Sequence, residues 1–114
     1  MESIDLARAV GKLILDKKGR EVVILDLRRL TSITDYFVIC TVDAEIQAKA
    51  VVEHIREELG KQRIKPWHIE GLGISSWVLM DFVDIVVHIF LPETRMFYNL
   101  ERLWGDAPRE DLKE

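Results

Sequence analysis

Little in this sequence restrains the chain covalently. Among 114 residues there is one cysteine, Cys40, so no disulfide forms within the chain. Its place inside an apolar run reads as a small buried hydrophobe in a reducing compartment. The three prolines and six glycines are dispersed, which leaves no linker, repeat or low-complexity tract. One domain is expected, long enough to bury a real core. Positive charge is not in excess: 16 Lys and Arg stand against 20 Asp and Glu, for a net charge of -4 and a pI near 5.4. That balance excludes a general basic field for nucleic acid, and no direct specific nucleic-acid binding is expected. Glu2 and Asp5 occupy the place of a basic amino-terminal region, so no secretory signal is read. No apolar run is both long and uncharged enough to span a bilayer. A cytoplasmic protein with no membrane partner is expected.

What is present is organised around Trp77–Leu91, WVLMDFVDIVVHIFL, interrupted only by Asp81, Asp84 and His88. Its β-branched content favours two strands over one helix. The reading is a hairpin, Ser76–Phe82 going out and Ile85–Leu91 returning. With two residues in the turn, Phe82 faces Ile85, Met80 faces Val87 and Val78 faces Ile89. Alternation makes those six residues one apolar face. Trp77, Leu79, Asp81, Val86, His88 and Phe90 form the other. Two apolar faces imply a central hairpin, covered by helices on one side and by further chain or another molecule on the second.

Around it, Ser3–Lys18 has helical spacing at Leu6, Val10, Leu13 and Ile14, with Ser3 as cap and Gly19 as stop. Glu21–Leu27 reads as a strand buried on both faces, residues 28–35 as a connection, and Tyr36–Thr41 as a second strand. Asp43 is placed as the cap of a helix over Ala44–Leu59, with Ala48, Val51, Val52, Ile55 and Leu59 inward and Gly60 ending it. Ile64–Ile69, with Pro66 near its start, reads as an edge strand. Pro92 opens a last helix whose Met96, Phe97, Leu100, Leu103 and Trp104 point inward, with Gly105 as terminator. The domain covers residues 1–107, and 108–114 form a polar tail. The class is α+β: a mixed central sheet with a hairpin in the carboxyl-terminal half, flanked by helices.

Chemistry finds weak footing. Cys40, Ser75 and Ser76 lack a nucleophile signature. His88 reads as a packed imidazole. Asp81-x-x-Asp84 and His68-x-Glu70 pair ligand types at short spacing, which keeps a metal-dependent, nucleotidyltransferase-like enzyme as the alternative. Against it, Asp84 is explained as a turn residue. Gly71-Leu72-Gly73 matches no phosphate loop. Arg20, Arg28 and Arg29 lack interleaved aromatics. The remaining feature is an apolar face with acidic edges, suited to docking a basic protein, or to packing under a helix.

Taken together, Ile33-Thr34-Asp35-Tyr36-Phe37-Val38-Ile39-Cys40-Thr41, Gln47, Ile69-Glu70-Gly71, Trp77-Val78-Leu79-Met80-Asp81-Phe82, Asp84-Ile85-Val86-Val87-His88-Ile89-Phe90 and Arg95-x-x-Tyr98-x-Leu100-Glu101-x-Leu103-Trp104 resemble the ribosomal silencing factor family (RsfS, also called Iojap). The likeness runs from about Leu6 to Ala107. Two departures stand out. Val42-Asp43-Ala44 replaces the usual Gly-x-Ser, which moves helix capping to Asp43. Val83 occupies a hairpin turn where glycine is usual, and valine resists positive φ. The resemblance implies a non-enzymatic factor without cofactor, in a fold distantly similar to nucleotidyltransferases. It implies binding to the large ribosomal subunit through the basic ribosomal protein L-fourteen, which blocks association with the small subunit and represses translation when nutrients are scarce. Its docking residues would be Glu70, Trp77, Leu79, Asp81, His88, Phe90, Tyr98 and Glu101, with Trp77 and Leu79 as the apolar anchor. A homodimer through the same face is a further expectation for the free chain.

Overall fold

The hairpin forms in the register that alternation dictates. In the computed structural model, which describes residues 1–73 and 76–113, Trp77–Asp81 (β4) pairs with Ile85–Phe90 (β5), so that Val78 meets Ile89 and Met80 meets Val87. Phe82 N–H donates to the carbonyl of Ile85 at 2.9 Å, closing the two-residue turn at Val83-Asp84. Val83 takes φ 73°, the strained conformation its branching resists. Three hydrogen bonds hold it there. Asp84 N–H donates to Phe82 O at 2.9 Å, Val83 N–H to Asp81 Oδ1 at 2.7 Å, and Thr34 Oγ1 to Val83 O at 3.0 Å.

Among the described residues six strands make one mixed sheet. Arg20–Asp26 (β1), Tyr36–Thr41 (β2), His68–Glu70 (β3) and Arg109–Leu112 (β6) complete it, in the order β3-β4-β5-β2-β1-β6. Of these strands only β2 and β5, among the described pairings, run parallel, and they meet at the centre. The first sheet face packs Val78, Met80, Ile85, Val87, Ile89, Val38 and Cys40 against Ser3–Asp16 (α1) and Glu45–Gly60 (α2). The inward stripe of α2 is the one its spacing predicts. The fold is a single α+β domain.

Several expectations are corrected. Ser3 lies inside α1, behind Glu2, and its hydroxyl donates to Asp35 Oδ2 at 2.8 Å instead of capping. Asp43 does not cap α2: Ala44 holds that place, while Asp43 pairs with Arg20 at 2.7 Å. The left-handed residues beyond α1 and α2 are Lys18 (φ 68°) and Arg63 (φ 63°), not Gly19 and Gly60. The last helix is broken into Pro92–Tyr98 (α3) and Leu100–Leu103 (α4) by left-handed Asn99, a conformation asparagine tolerates. Met96, Phe97 and Leu103 consequently point outward, leaving Leu100 and Trp104 to pack inward. The supposed polar tail is β6, antiparallel to β1, with Leu112 reaching into the space left by Gly11.

Arg95 locks α3 onto the sheet. It is buried, and its Nη1 donates to Glu21 O at 2.7 Å and to Thr41 Oγ1 at 2.9 Å. Nε and Nη2 grip Glu101 at 3.3 and 3.0 Å. Glu21 sits at an irregularity of β1 with φ 52°, which turns its carbonyl toward the guanidinium.

Candidate docking face

The second sheet face is covered over only part of its width. A smaller core, Val23, Leu25, Leu27, Ile39, Phe90 and Ala107, lies beneath Leu100 and Trp104. Beyond that cover, toward β3, Leu79, Asp81 and Val86 are only half-buried, and Phe37, half-buried on β2, stands at the edge of the cover with its ring 6.0 Å from Trp104. Cross-strand pairing puts them on one face: Phe37 lies beside Val86, Asp81 beside Val86 and His68, and Leu79 beside Glu70.

Trp77 forms the border between the covered and open parts. Its ring stands 4.9 Å from Phe90 and 4.8 Å from Tyr98, and its Nε1 donates to His88 Nδ1 at 3.1 Å. The indole is therefore oriented from below by a buried acceptor and flanked by an exposed tyrosine. Past Tyr98 the surface stays apolar: Met96 and Phe97 are each about 80% exposed and Leu103 73%. A contiguous apolar area of this kind on a small domain marks a place where another molecule sits.

The predicted docking residues divide by exposure. Glu70 and Tyr98 are exposed, and Trp77, Leu79 and Asp81 are half-buried, so these five share the open surface or its rim. His88 and Phe90 do not present surface: Phe90 packs in the core beneath Leu100 and Trp104, and the rings of Phe37 and Trp77 flank His88 at 4.4 and 5.8 Å. His88 is 3% exposed, and burial lowers its pKa from 6.5 to about 4, so the ring is neutral near pH 7. Glu101 is taken by Arg95, with Arg109 as a further neighbour at 4.0 Å. Glu70 accepts from His68 Nε2 at 2.8 Å but remains in solvent. Phe37, Val86, Met96 and Phe97 were not among the predicted residues. Three consecutive apolar residues, Met96-Phe97-Tyr98, cannot all face inward on one helix, and that was the available signal.

The arrangement offers chemistry little. Burial pushes the Cys40 thiol up to about 12, away from the reactive thiolate. Ser75 lies outside the described residues. Asp81 Oδ1 is bonded to Val83 N–H, and among the described residues no three His, Cys, Asp or Glu side chains form a group able to hold a metal. No helix among them is long and apolar enough to cross a membrane.

A family model described as "Ribosomal silencing factor during starvation" matches residues 1–114. The ribosomal silencing factor RsfS of Halalkalibacterium halodurans is 36% identical over 113 residues, covering 99% of this chain and 97% of that protein. The mouse protein named "Mitochondrial assembly of ribosomal large subunit protein 1" is 33% identical over 95 residues, covering 81% of this chain and 42% of its own length. Among solved structures, a Chromobacterium violaceum protein superposes with a TM-score of 0.87 at 32% identity, covering 92% of this chain and 88% of that one.

Proposed function

This chain belongs to the ribosomal silencing factor family, and from that premise we propose that it docks on the large ribosomal subunit through the basic ribosomal protein L-fourteen. Seated there, it keeps the small subunit from joining and lowers translation when nutrients are scarce. The single observation that carries the reading is the half-open sheet face. Trp77, Leu79, Phe37 and Val86 supply its apolar centre, Tyr98, Phe97 and Met96 extend it, and Glu70 and Asp81 sit on its rim. Apolar burial holds such a complex together, and the carboxylates attract a basic partner and set its register.

The mechanism is steric and needs no reacting group. The body measures 34 × 34 × 27 Å, far thicker than any gap that two closely apposed surfaces could bridge. A relative named for silencing and another named for large-subunit assembly support a regulatory role at that subunit. Sedimentation of purified subunits with and without this protein tests the proposal. Migration with the large subunit and fewer joined ribosomes are expected. A protein left at the top of the gradient, with joining unchanged, ends the reading.

A further inference from the structure

At the outer edge of the sheet the chain changes character. Lys61 to His68 (KQRIKPWH) holds three cations and no carboxylate, in a protein of net charge -4. Lys61 is neutralised by Glu58 at 2.8 Å. The side chains of Arg63, Lys65 and, across the cleft on α2, Arg56 have no ion pair or hydrogen bond among the described residues.

In the same segment stands Trp67, 75% exposed, whereas Trp77 and Trp104 are half-buried. The backbone beneath it is pinned. Pro66 fixes the preceding residue's geometry, and Trp67 N–H donates to Asp81 O at 2.7 Å. A cleft of about 760 Å3 opens between this segment and α2, lined on one side by Lys65, Trp67 and His68 and on the other by Glu53, Arg56 and Glu57. Apart from His68, which touches Glu70, the docking face does not use these residues.

A flat aromatic on a fixed backbone, in a short segment that also carries unneutralised cations, is the chemistry that holds single-stranded nucleic acid: a base stacks and phosphates pair. An apolar partner would leave Arg63 and Lys65 desolvated without counter-charge. The carboxylates on the helix wall repel phosphate, so the backbone belongs on the loop side. Glu53 and Glu57, on the opposite wall, are acceptors suited to the amino edge of a base. We propose that the Trp67 edge is a second binding site, for single-stranded RNA, with an unpaired base stacked on Trp67 and phosphates on Arg63 and Lys65. Contact of this kind is independent of sequence and local, which the acidic total of the chain does not oppose. The site is joined to the docking face through Asp81, whose side chain lies on that face and whose carbonyl holds Trp67. On the reading of this chain as a ribosome-bound factor, the RNA met there is ribosomal.

The test uses the full chain and a fluorescent single-stranded RNA of about 12 nucleotides, followed by anisotropy at about 50 mM salt and upward. Trp67→Ala should bind about tenfold more weakly and Trp67→Phe should retain most of the affinity. Arg63→Gln with Lys65→Gln should lower the slope of log affinity against log salt by roughly 1.4. Trp67 is exposed, so a thermal melt matching wild type will show that these variants fold. Absence of binding by wild type at low salt overturns the site, and so does equal binding by Trp67→Ala. Polyglutamate displacing the RNA at matched charge concentration overturns it also, in favour of an acidic peptide. No ribosome enters this assay, so its failure is separate from failure of subunit docking.

Discussion

Trp77 Nε1 donates its proton to Nδ1 of His88, 3.1 Å away, from the border of the open face into the covered core. This fixes the imidazole as an acceptor at Nδ1, so its proton lies on Nε2, an atom buried without a hydrogen-bond partner among the described residues. A neutral ring is the one this pocket accommodates, and the indole's orientation depends on it.

Acid should therefore weaken the fold through His88. Burial lowers its pKa from 6.5 to about 4, so the unfolded chain takes up the proton first as pH falls. This contribution is complete above pH 6.5 and is lost progressively down to about pH 4, some 3 kcal/mol in all. Urea unfolding between pH 7 and 4.5 should show that slope, and His88→Gln, which keeps an acceptor for Trp77, should flatten it. Asp26, Asp43 and Glu110, held low by Arg28, Arg20 and Arg8, act at lower pH. An equally steep decline in His88→Gln would refute the assignment.

Removing members of the docking face that lie outside the buried core should uncouple binding from folding. Tyr98→Ala and Leu79→Ala are each expected to weaken large-subunit binding about tenfold, with the thermal midpoint close to wild type. Trp77→Ala should cost about 2 kcal/mol or more in binding. It should also lower stability, because the indole packs on Phe90. Sedimentation binding curves read the first effect and melts the second. Full binding by a Tyr98, Leu79 double variant would remove this face from the proposal.

The Arg95 knot should prove structural. Arg95→Ala leaves Glu101 with its closest partner gone and two acceptors unbonded, at an expected loss of about 3 kcal/mol. Arg95→Lys should recover only a small part, since an ammonium cannot reproduce the forked grip. Denaturant midpoints of the two variants, compared with Glu101→Gln, decide it.

Relief of strain is expected at the hairpin tip. Val83 has φ 73° and is 58% exposed, so Val83→Gly removes a conformational penalty while sacrificing little burial. A gain of about 1 kcal/mol is predicted. Val83→Ala, still bearing a Cβ, should not yield it. Thermal melts of both variants provide the comparison.

The parts of the fold that were legible in the sequence are those where one periodicity dominates. Val78, Met80 and Phe82 alternate against Ile85, Val87 and Ile89, and a register slip would expose all six. The α2 stripe is equally unambiguous. Residues 109–112, REDL, carry one apolar side chain, so nothing in their pattern distinguishes an edge strand from a solvated tail. Backbone pairing with β1 and the Arg8–Glu110 ion pair hold them instead. For the docking face, alternation placed Trp77, Leu79, Asp81, His88 and Phe90 on one side correctly. It could not reveal that Leu100 and Trp104 cover Phe90, because that depends on the break at Asn99, nor that Phe37 and Trp77 enclose His88. The exposure of Met96 and Phe97 follows from the same break.

The parallel pairing of β2 with β5 also sets when the protein becomes competent to bind. Tyr36 meets Ile85 across that seam, a separation of 49 residues (85 - 36), so the central contacts form only after a long loop has closed. The β4–β5 hairpin is local by comparison and by itself displays Trp77 and Leu79, but without the seam Phe37 is absent from beside Val86 and the helical cover has no β1–β2 floor. A half-folded chain thus lacks the surface proposed to hold a subunit. On that proposal silencing is a property of the completed sheet, and any condition that slows closure of its centre delays the factor's appearance without altering a single residue of the face.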